Sequence, residues 1–211
     1  MATRMSALAA LVAALLALPA SAQDPVDRGR ELFALCTQCH MADGRGSHLA
    51  LAPAIAGLPQ WYVVAQLQKF RAGYRGQHFD DIAGMRMRPM SLALADDADV
   101  AAVAAYAASL APIAPAPVLE GGDPAKGQTL FAPCAACHAP DGSGNEAVFG
   151  PPLKHTSDWY LLTQLANFRA GVRGAKPGDT SGALMRPMSM TLADEQAMRD
   201  VIAYITTLAK N

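Results

Sequence analysis

The chain repeats one stretch of sequence at a constant offset of 98 residues, the distance from Cys36 to Cys134. The Cys-x-x-Cys-His pentad at Cys36–His40 returns at Cys134–His138, and the run Met87–Ser91 returns unchanged as Met185–Ser189. Both pairs of motifs keep the same offset, so no net insertion separates the two copies. Two successive copies of one folded module are the simplest structure for a chain with this register.

The flanks of the repeat have their own composition. An apolar run from Ala7 to Leu18 follows Arg4 and ends at Ala20–Ala22, the pattern of a cleaved export signal. The segment between the copies is rich in proline and alanine, which favours an extended linker. We therefore expect a periplasmic protein whose segments are a signal peptide at 1–22, an N-terminal domain at 23–110, a linker at 111–122 and a C-terminal domain at 123–211.

Local signals in both copies predict helices. Asp24 and Asp123 each precede a proline, as an N-cap residue precedes the first helical position. The stretches Trp61–Ala72 and Trp159–Ala170 lack internal glycine and proline, and a glycine follows each of them, as expected at the end of a helix. Since no segment alternates apolar and polar residues as a strand would, we predict an all-α fold with a short helix running into each pentad.

Both pentads carry the signature of covalent haem attachment. Two cysteines three residues apart lie on one face of a helix, where their thiols can add to the two vinyl groups of a haem. The histidine follows closely enough to turn its imidazole towards the iron. The pattern predicts two covalently bound haem c groups, attached through Cys36, Cys39, Cys134 and Cys137, with His40 and His138 as iron ligands.

Other uses of paired cysteines fit the sequence less well. A zinc site built from two pairs usually separates them by about 15 to 20 residues, whereas about a hundred residues separate Cys39 from Cys134. A thioredoxin-like redox pair would accompany a βαβ pattern, which is absent from the sequence. Structural disulfides would explain neither the histidines nor the repeat.

The repeat also sorts the candidates for a second axial ligand. Histidine outside the pentads never recurs at the 98-residue offset, and Met85 corresponds to Ala183. Two methionine positions do recur, in a proline-containing stretch that we interpret as a loop before the last helix. The pattern alone leaves both pairs open, and they are Met87 with Met185 and Met90 with Met188.

With these motifs in place, the sequence resembles the dihaem cytochrome c4 family of class I c-type cytochromes, which have two tandem domains. In that family a methionine ligand lies seven residues before the leucine that opens the last helix. Counting back from Leu94 and Leu192, the resemblance implies Met87 and Met185 as the second iron ligands.

The resemblance extends to the surroundings of the haems. It implies that the carbonyls of Pro53 and Pro151 accept the second N–H of each proximal histidine, which orients the ring. The sequence departs from the family pattern where Gly57 of the first copy is replaced by His155. Two further groups have open roles: aromatic residues that pack near the haems or form ordinary helix core, and arginines that face haem propionates or solvent. These are Trp61, Tyr62, Trp159, Tyr160, Arg71 and Arg169.

Iron held by both histidine and methionine has no open coordination position, so the sequence predicts electron exchange and no enzymatic activity. A dihaem peroxidase would need one haem that opens readily, and the matched methionines argue against it. We expect a dihaem cytochrome that carries single electrons between respiratory redox partners. The alternative is the cytochrome subunit of a sulfide, thiosulfate or alcohol dehydrogenase complex.

The expected partners are redox proteins such as a quinol-oxidising complex, a terminal oxidase or a dehydrogenase. With 17 Lys and Arg residues against 18 Asp and Glu residues, the chain lacks the basic surplus that nucleic-acid binding requires. Peripheral association with a membrane and the oligomeric state are left open by the sequence.

Overall fold

The computed structural model describes residues 24–209, which form helices joined by loops. Within this range the only β pairings are two isolated bridges, Ser47 with Ala52 and Asn145 with Gly150. The predicted all-α fold is confirmed. The expected signal peptide at 1–22 lies outside the described residues. Across 24–209, none of the helices has the length and apolar character needed to cross a bilayer.

Each copy of the repeat folds into its own set of helices. In the first copy these are α1 (Pro25–Phe33), α2 (Thr37–His40), α3 (Gln60–Arg71), α4 (Ile82–Leu92) and α5 (Asp97–Ser109). In the second they are α6 (Pro124–His138), a 3-10 turn (Glu146–Val148), α7 (Asp158–Arg169), α8 (Thr180–Met190) and α9 (Glu195–Leu208). The helix that leads into the pentad is continuous only in the second copy, because α1 ends three residues before the first pentad begins.

The predicted helix boundaries follow from local capping. The Asp24 side chain accepts a hydrogen bond from the Val26 amide at 2.8 Å, and Asp123 accepts one from the Ala125 amide at 2.9 Å. Each bond satisfies an amide that has no partner inside the helix. After α3 and α7 the chain turns at Gly73 with φ of 78° and at its counterpart in the second copy with φ of 76°, as predicted from the sequence.

The first and last helices of each domain pack against each other, α1 on α5 and α6 on α9. A glycine permits the close approach. A Cβ atom on Gly29 would lie 2.0 Å from the Ala102 carbonyl oxygen, and one on Gly127 would lie 1.9 Å from that of Asp200. Beside each crossing lies a core cluster, consisting of Phe33, Leu94, Val100, Val103 and Ala107 in the first domain and Phe131, Leu161, Leu192, Met198, Val201, Ile202 and Ile205 in the second.

Because the crossing leaves no room for a methyl group, we expect Gly29→Ala to destabilise the protein by about 1–3 kcal/mol, the usual cost of overpacking. Arg30→Ala is the matched control, because its side chain is 63% exposed and the change should stay within about 0.5 kcal/mol. Denaturant unfolding of both variants measures the difference. Equal unfolding midpoints for Gly29→Ala and Arg30→Ala would contradict this prediction, because they would show that α1 and α5 accommodate the methyl group without loss of stability.

The stretch around the paired methionines is a helix in both copies, so our interpretation of it as a loop is wrong. Pro89 lies inside α4 and Pro187 inside α8. Strong N-terminal caps compensate for the missing amide. The Asp81 carboxylate accepts a hydrogen bond from the Gly84 amide, and Asp179 accepts one from the Gly182 amide, both at 3.1 Å. Each proline falls in the second half of its helix, where it removes a single late hydrogen bond.

The departure from the family pattern at His155 leaves the backbone unchanged. Its φ is 64°, close to the 69° of Gly57, so the second copy keeps the left-handed turn with a side chain that adopts it at a cost of about 1–2 kcal/mol.

Candidate haem sites

The pentads place their cysteines beside a long cavity that both domains line. Cys36 is the N-cap residue of α2, whereas Cys134 and Cys137 lie within α6. All three contribute to the cavity wall, whereas Cys39 does not; Cys39 and Cys137 are both exposed at the surface. Burial, with a contribution from neighbouring Cys39, raises the pKa of the Cys36 thiol to about 11. The thiol is therefore protonated at neutral pH.

The two pentad histidines are buried and oriented by backbone carbonyls. Nδ1 of His40 donates to the carbonyl oxygen of Pro53 at 2.8 Å, and Nδ1 of His138 donates to that of Pro151 at 2.7 Å. The predicted proline partners are thus confirmed. This bond assigns the proton to Nδ1 and leaves Nε2 free to bind iron. Burial lowers the pKa of both imidazoles, which favours the neutral form that metals require.

The cavity wall separates some candidate second ligands from others. Of the described histidines, only the two in the pentads line the cavity, which argues against bis-histidine ligation. Met85 lies outside it and is 43% exposed. Both recurring methionine pairs do line it, namely Met87, Met90, Met185 and Met188. In the first domain Met90 is exposed while Met87 is half-buried, but in the second domain both members are half-buried.

The remaining cavity wall is mostly apolar. It includes aromatic and aliphatic side chains of both domains, among them Phe33, Leu67, Phe70, Leu161, Phe168 and Val201. This lining fits a flat, largely apolar macrocycle in each domain. Trp61, Tyr62 and Tyr160 contribute to it, as one of the two open interpretations predicts. Trp159 does not, and packs instead on His48 with ring centroids 5.1 Å apart.

Two buried arginines meet where the domains join. Arg75 donates to Gln66 at 2.8 Å and, across the interface, to Oη of Tyr160 at 3.2 Å. Arg173 donates to Gln164 at 2.5 Å and across the interface to Gln66 at 3.3 Å. Each guanidinium also lies over a phenylalanine ring of its own domain. The 98-residue repeat relates the arginines and glutamines to one another, so the junction is nearly two-fold symmetric.

This arginine pair supplies a test of whether haem fits the cavity. Both guanidinium groups line it, they are 4% and 5% exposed, and the Nε of each has no hydrogen-bond partner. Burial and the neighbouring Arg75 lower the pKa of Arg173. The Asp81 carboxylate acts electrostatically on both arginines, but two like charges buried side by side require a further anion to compensate them. The carboxylates that haem carries are suitable anions, so the residues present fit the group.

The arginines singled out from the sequence have a different role. Arg71 donates to the carbonyl oxygens of Ser91 and Leu94 at 3.2 and 2.7 Å, and Arg169 donates to those of Leu192 and Ala193. Neither arginine lines the cavity. They tie α3 to the end of α4 and the residues after it, and α7 to the residues after α8. Sequence reasoning missed Arg75 and Arg173, although both recur at the 98-residue offset.

Across residues 24–209, no three His, Cys, Asp or Glu side chains converge in a way that could hold a metal ion. Each pentad offers one oriented, buried histidine to its own side of an apolar cavity, together with Cys36 in the first domain and with Cys134 and Cys137 in the second. This arrangement, repeated in two helical domains, defines a c-type haem protein.

Comparison with known proteins identifies the family. A family model described as cytochrome c matches residues 26–111 and again residues 124–209. The chain belongs to the cytochrome c family and contains two tandem copies of its domain.

Individual relatives agree with this assignment. The thiosulfate dehydrogenase electron acceptor of Stutzerimonas stutzeri (strain A1501) is 32% identical over 205 residues, which cover 86% of this chain and 87% of the relative. The structure of reduced cytochrome c4 from Pseudomonas stutzeri matches with a TM-score of 0.68 and 29% identity, covering 86% of this chain and 97% of the other. The thiosulfate dehydrogenase TsdBA from Marichromatium purpuratum matches with a TM-score of 0.69 and 34% identity; the match covers 87% of this chain but only 40% of that one.

These matches confirm the resemblance to the dihaem cytochromes c4 and the prediction of two covalently bound haem c groups. The protein is a dihaem electron carrier, and its relatives belong to redox chains.

Proposed function

We propose that this chain accepts single electrons from a dehydrogenase of the thiosulfate type and passes them to the next redox protein of a respiratory chain. His40 with Met87 would hold one haem iron and His138 with Met185 the other, in domains at 23–110 and 123–211. The observation that carries the proposal is the shared apolar cavity, because each domain directs one buried, oriented histidine and one recurring methionine pair towards it.

Met87 and Met185 are preferred within those pairs for two reasons. In the first domain Met87 is the more sheltered methionine, since Met90 is 37% exposed. The same choice follows in both domains from the resemblance to cytochrome c4. A thioether opposite an imidazole raises the reduction potential relative to two imidazoles, which suits a carrier that accepts electrons readily.

The residues of the site limit the chemistry to electron exchange. When bound, haem supplies a reversible one-electron change at its iron. The Pro53 and Pro151 carbonyls fix the tautomer and orientation of the ligand histidines and increase their basicity. Apolar side chains exclude water from the cavity, which limits the reorganisation that accompanies a change of charge. A histidine and a methionine that together hold each iron would leave it no position for substrate, so the proposed role is electron transfer without enzymatic activity.

The two sites lie close enough to share one cavity, so the proposal includes electron transfer between them within the chain. The buried junction of Gln66, Arg75, Gln164 and Arg173 spans the boundary between the domains. Its hydrogen bonds hold the domains in one relative orientation, and its positive charge would compensate the carboxylates of both haems.

The choice of partner is supported by the relatives. One is named as the electron acceptor of thiosulfate dehydrogenase and matches most of this chain, and a similar fold forms part of the thiosulfate dehydrogenase TsdBA. These relatives support a dehydrogenase as the electron donor. They are equally consistent with a protein that is a separate electron carrier and not a subunit of that dehydrogenase. We propose the periplasm as its compartment, with residues 1–22 removed on export.

We expect a thiosulfate dehydrogenase supplied with thiosulfate to reduce both haems of the oxidised protein, as followed by stopped-flow absorption. Thiosulfate without the dehydrogenase should leave the protein oxidised, because neither iron has a free position. Reduction by thiosulfate alone would instead identify this chain as the enzyme. Failure of the dehydrogenase to reduce it would exclude this class of donor, and a stable complex on gel filtration would favour a permanent subunit over a mobile carrier.

A further inference from the structure

The interface between the domains departs from two-fold symmetry at Lys69. Its Nζ lies 2.6 Å from Oδ1 of Asp179 and donates to Oγ of Ser181 at 2.6 Å, both in the other domain. At the 98-residue offset the equivalent of Lys69 is Asn167, whose buried Nδ2 has no hydrogen-bond partner. The equivalent of Asp179 is Asp81. Within residues 24–209 Asp81 forms no close ion pair, although Arg75 and Arg173 interact with its carboxylate electrostatically.

A second lysine contact lies next to the first. Lys176 donates to the carbonyl oxygen of Gly73 at 2.6 Å and to Oε1 of Gln77 at 2.5 Å. Its counterpart at the 98-residue offset, His78, lies 3.7 Å from Asp80 of its own domain. Lys69, in the last turn of α3, thus reaches the start of α8, and Lys176, in the loop before α8, reaches the loop after α3. Neither contact is duplicated on the opposite side of the interface.

Lys69 acts on the helix that carries Met185. Asp179 caps α8, and Ser181 is the second residue of that helix. The corresponding cap in the first domain, Asp81, accepts hydrogen bonds only from the Gly76 and Gly84 amides of its own domain. The methionine-bearing helix of the second domain is thus held from the first domain, whereas its counterpart α4 is capped from within its own domain.

The ion pair is also placed to influence the cavity electrostatically. The side chain of Lys69 is 14% exposed and that of Asp179 is 2% exposed, so solvent ions screen the pair poorly. Lys69 and Ser181 both line the cavity. Loss of either charge would leave the other uncompensated beside it. An uncompensated carboxylate favours ferric iron and an uncompensated ammonium favours ferrous iron, because the two oxidation states differ by one positive charge.

We propose that Lys69 is a positioning residue for the haem of the C-terminal domain, which neutralises Asp179 and anchors α8 so that the N-terminal domain helps to set the reduction potential on the Met185 side. The inference rests on the proposed pair of His138 and Met185. It predicts an effect in one domain from a residue that belongs to the other.

The test is a pair of charge-neutralising variants with opposite expected signs. Lys69→Gln should lower the potential on the Met185 side and Asp179→Asn should raise it, each by on the order of tenfold in the equilibrium constant for reduction. Asparagine still caps a helix, so the second variant keeps α8 in place. The double variant Lys69→Gln/Asp179→Asn restores electroneutrality and should return close to the wild-type potential. Spectroelectrochemical titration of the intact dihaem protein measures all three.

A purely structural role would give a different result. If Lys69 only held the domains together, both single variants would shift the potential in the same direction and the double variant would be the most perturbed, which would overturn the proposal. Lys69→Arg keeps the charge and should titrate like the wild type. Lys126→Gln is the matched control, because Lys126 pairs with Asp123 at 3.9 Å on the surface and its loss should move neither potential.

The Met87→His background identifies the affected haem, since the titration step that this substitution lowers belongs to the Met87 side. Lys69→Gln should then move the other step only. A shift confined to the step that Met87→His lowers would contradict the inference while leaving the ligand assignment intact. If Met87→His itself moved neither step, the ligand assignment would fail first, so the two failures are distinguishable.

Discussion

The Cys134→Ala/Cys137→Ala variant is expected to carry one covalently bound haem where the wild type carries two. Thioether bonds to these sulfur atoms are the only covalent attachment of the cofactor in the second domain, because all four cysteines of the chain belong to the pentads. The first domain has its own pentad and its own core cluster, so its attachment should persist. The mass of the denatured protein should therefore fall by one haem, and the absorption of the denatured haem should be about half.

The mirror variant Cys36→Ala/Cys39→Ala is the matched control and should also retain one haem. The variant in which all four cysteines are replaced by alanine should retain no haem after denaturation. A denatured Cys134→Ala/Cys137→Ala protein that still had the mass of two haems would disprove attachment through the pentad. Loss of both haems from either variant that lacks one cysteine pair would show that haem attachment in one domain depends on the other. That result would contradict the independence of the two cores.

Features governed by a few neighbouring residues could be predicted from the sequence. Asp24 and Asp123 cap their helices because each carboxylate reaches an amide two residues away. The pentads predict the haem sites for the same reason, since the spacing of two thiols and an imidazole is fixed within one helical turn. The proline carbonyl partners came from family resemblance, and the observed distances of 2.8 and 2.7 Å confirm them.

The helix around the methionines could not be predicted from local propensity. Pro89 and Pro187 suggested a loop, and what outweighs them is a buried aspartate cap at the start of each helix together with packing of α4 on α3 and α8 on α7. The free-energy cost of a proline depends on its position within the helix, and near the end it removes few hydrogen bonds. Its position in turn depends on where the helix begins. That starting point is set by tertiary contacts.

The domain junction depends on contacts between residues about a hundred positions apart. Arg75 reaches Tyr160, and Lys69 reaches Asp179, but no local pattern distinguishes these side chains from solvated ones. The repeat does hold part of the information. Arg75 recurs as Arg173 at the 98-residue offset, whereas Lys69 corresponds to Asn167. A residue that recurs at the offset indicates a contact common to both haem sites, and a residue that does not recur indicates a difference between them.

Met87→His is expected to lower one of the two reduction potentials by on the order of 0.1 V, a small part of the roughly 0.8 V range over which axial ligands tune haem. Imidazole stabilises ferric iron more than a thioether does, and under the proposed ligation Met87 serves only the first domain. The other potential should stay nearly constant. The weak long-wavelength absorption band of methionine-ligated ferric haem should fall to about half. Redox titration and absorption spectra of the oxidised protein measure both effects.

Met90→His is the control that decides between the two candidate methionines, because Met87 and Met90 lie three residues apart on the same face of α4 and both line the cavity. It should leave the potentials and the absorption band unchanged, since Met90 is exposed at the surface. If Met90→His instead halved the band while Met87→His preserved it, the ligand would be Met90. Met185→His should lower the other potential, and the Met87→His/Met185→His variant should lower both and abolish the band. That outcome would show that each domain supplies its own sulfur ligand, as electron exchange at two closed irons requires.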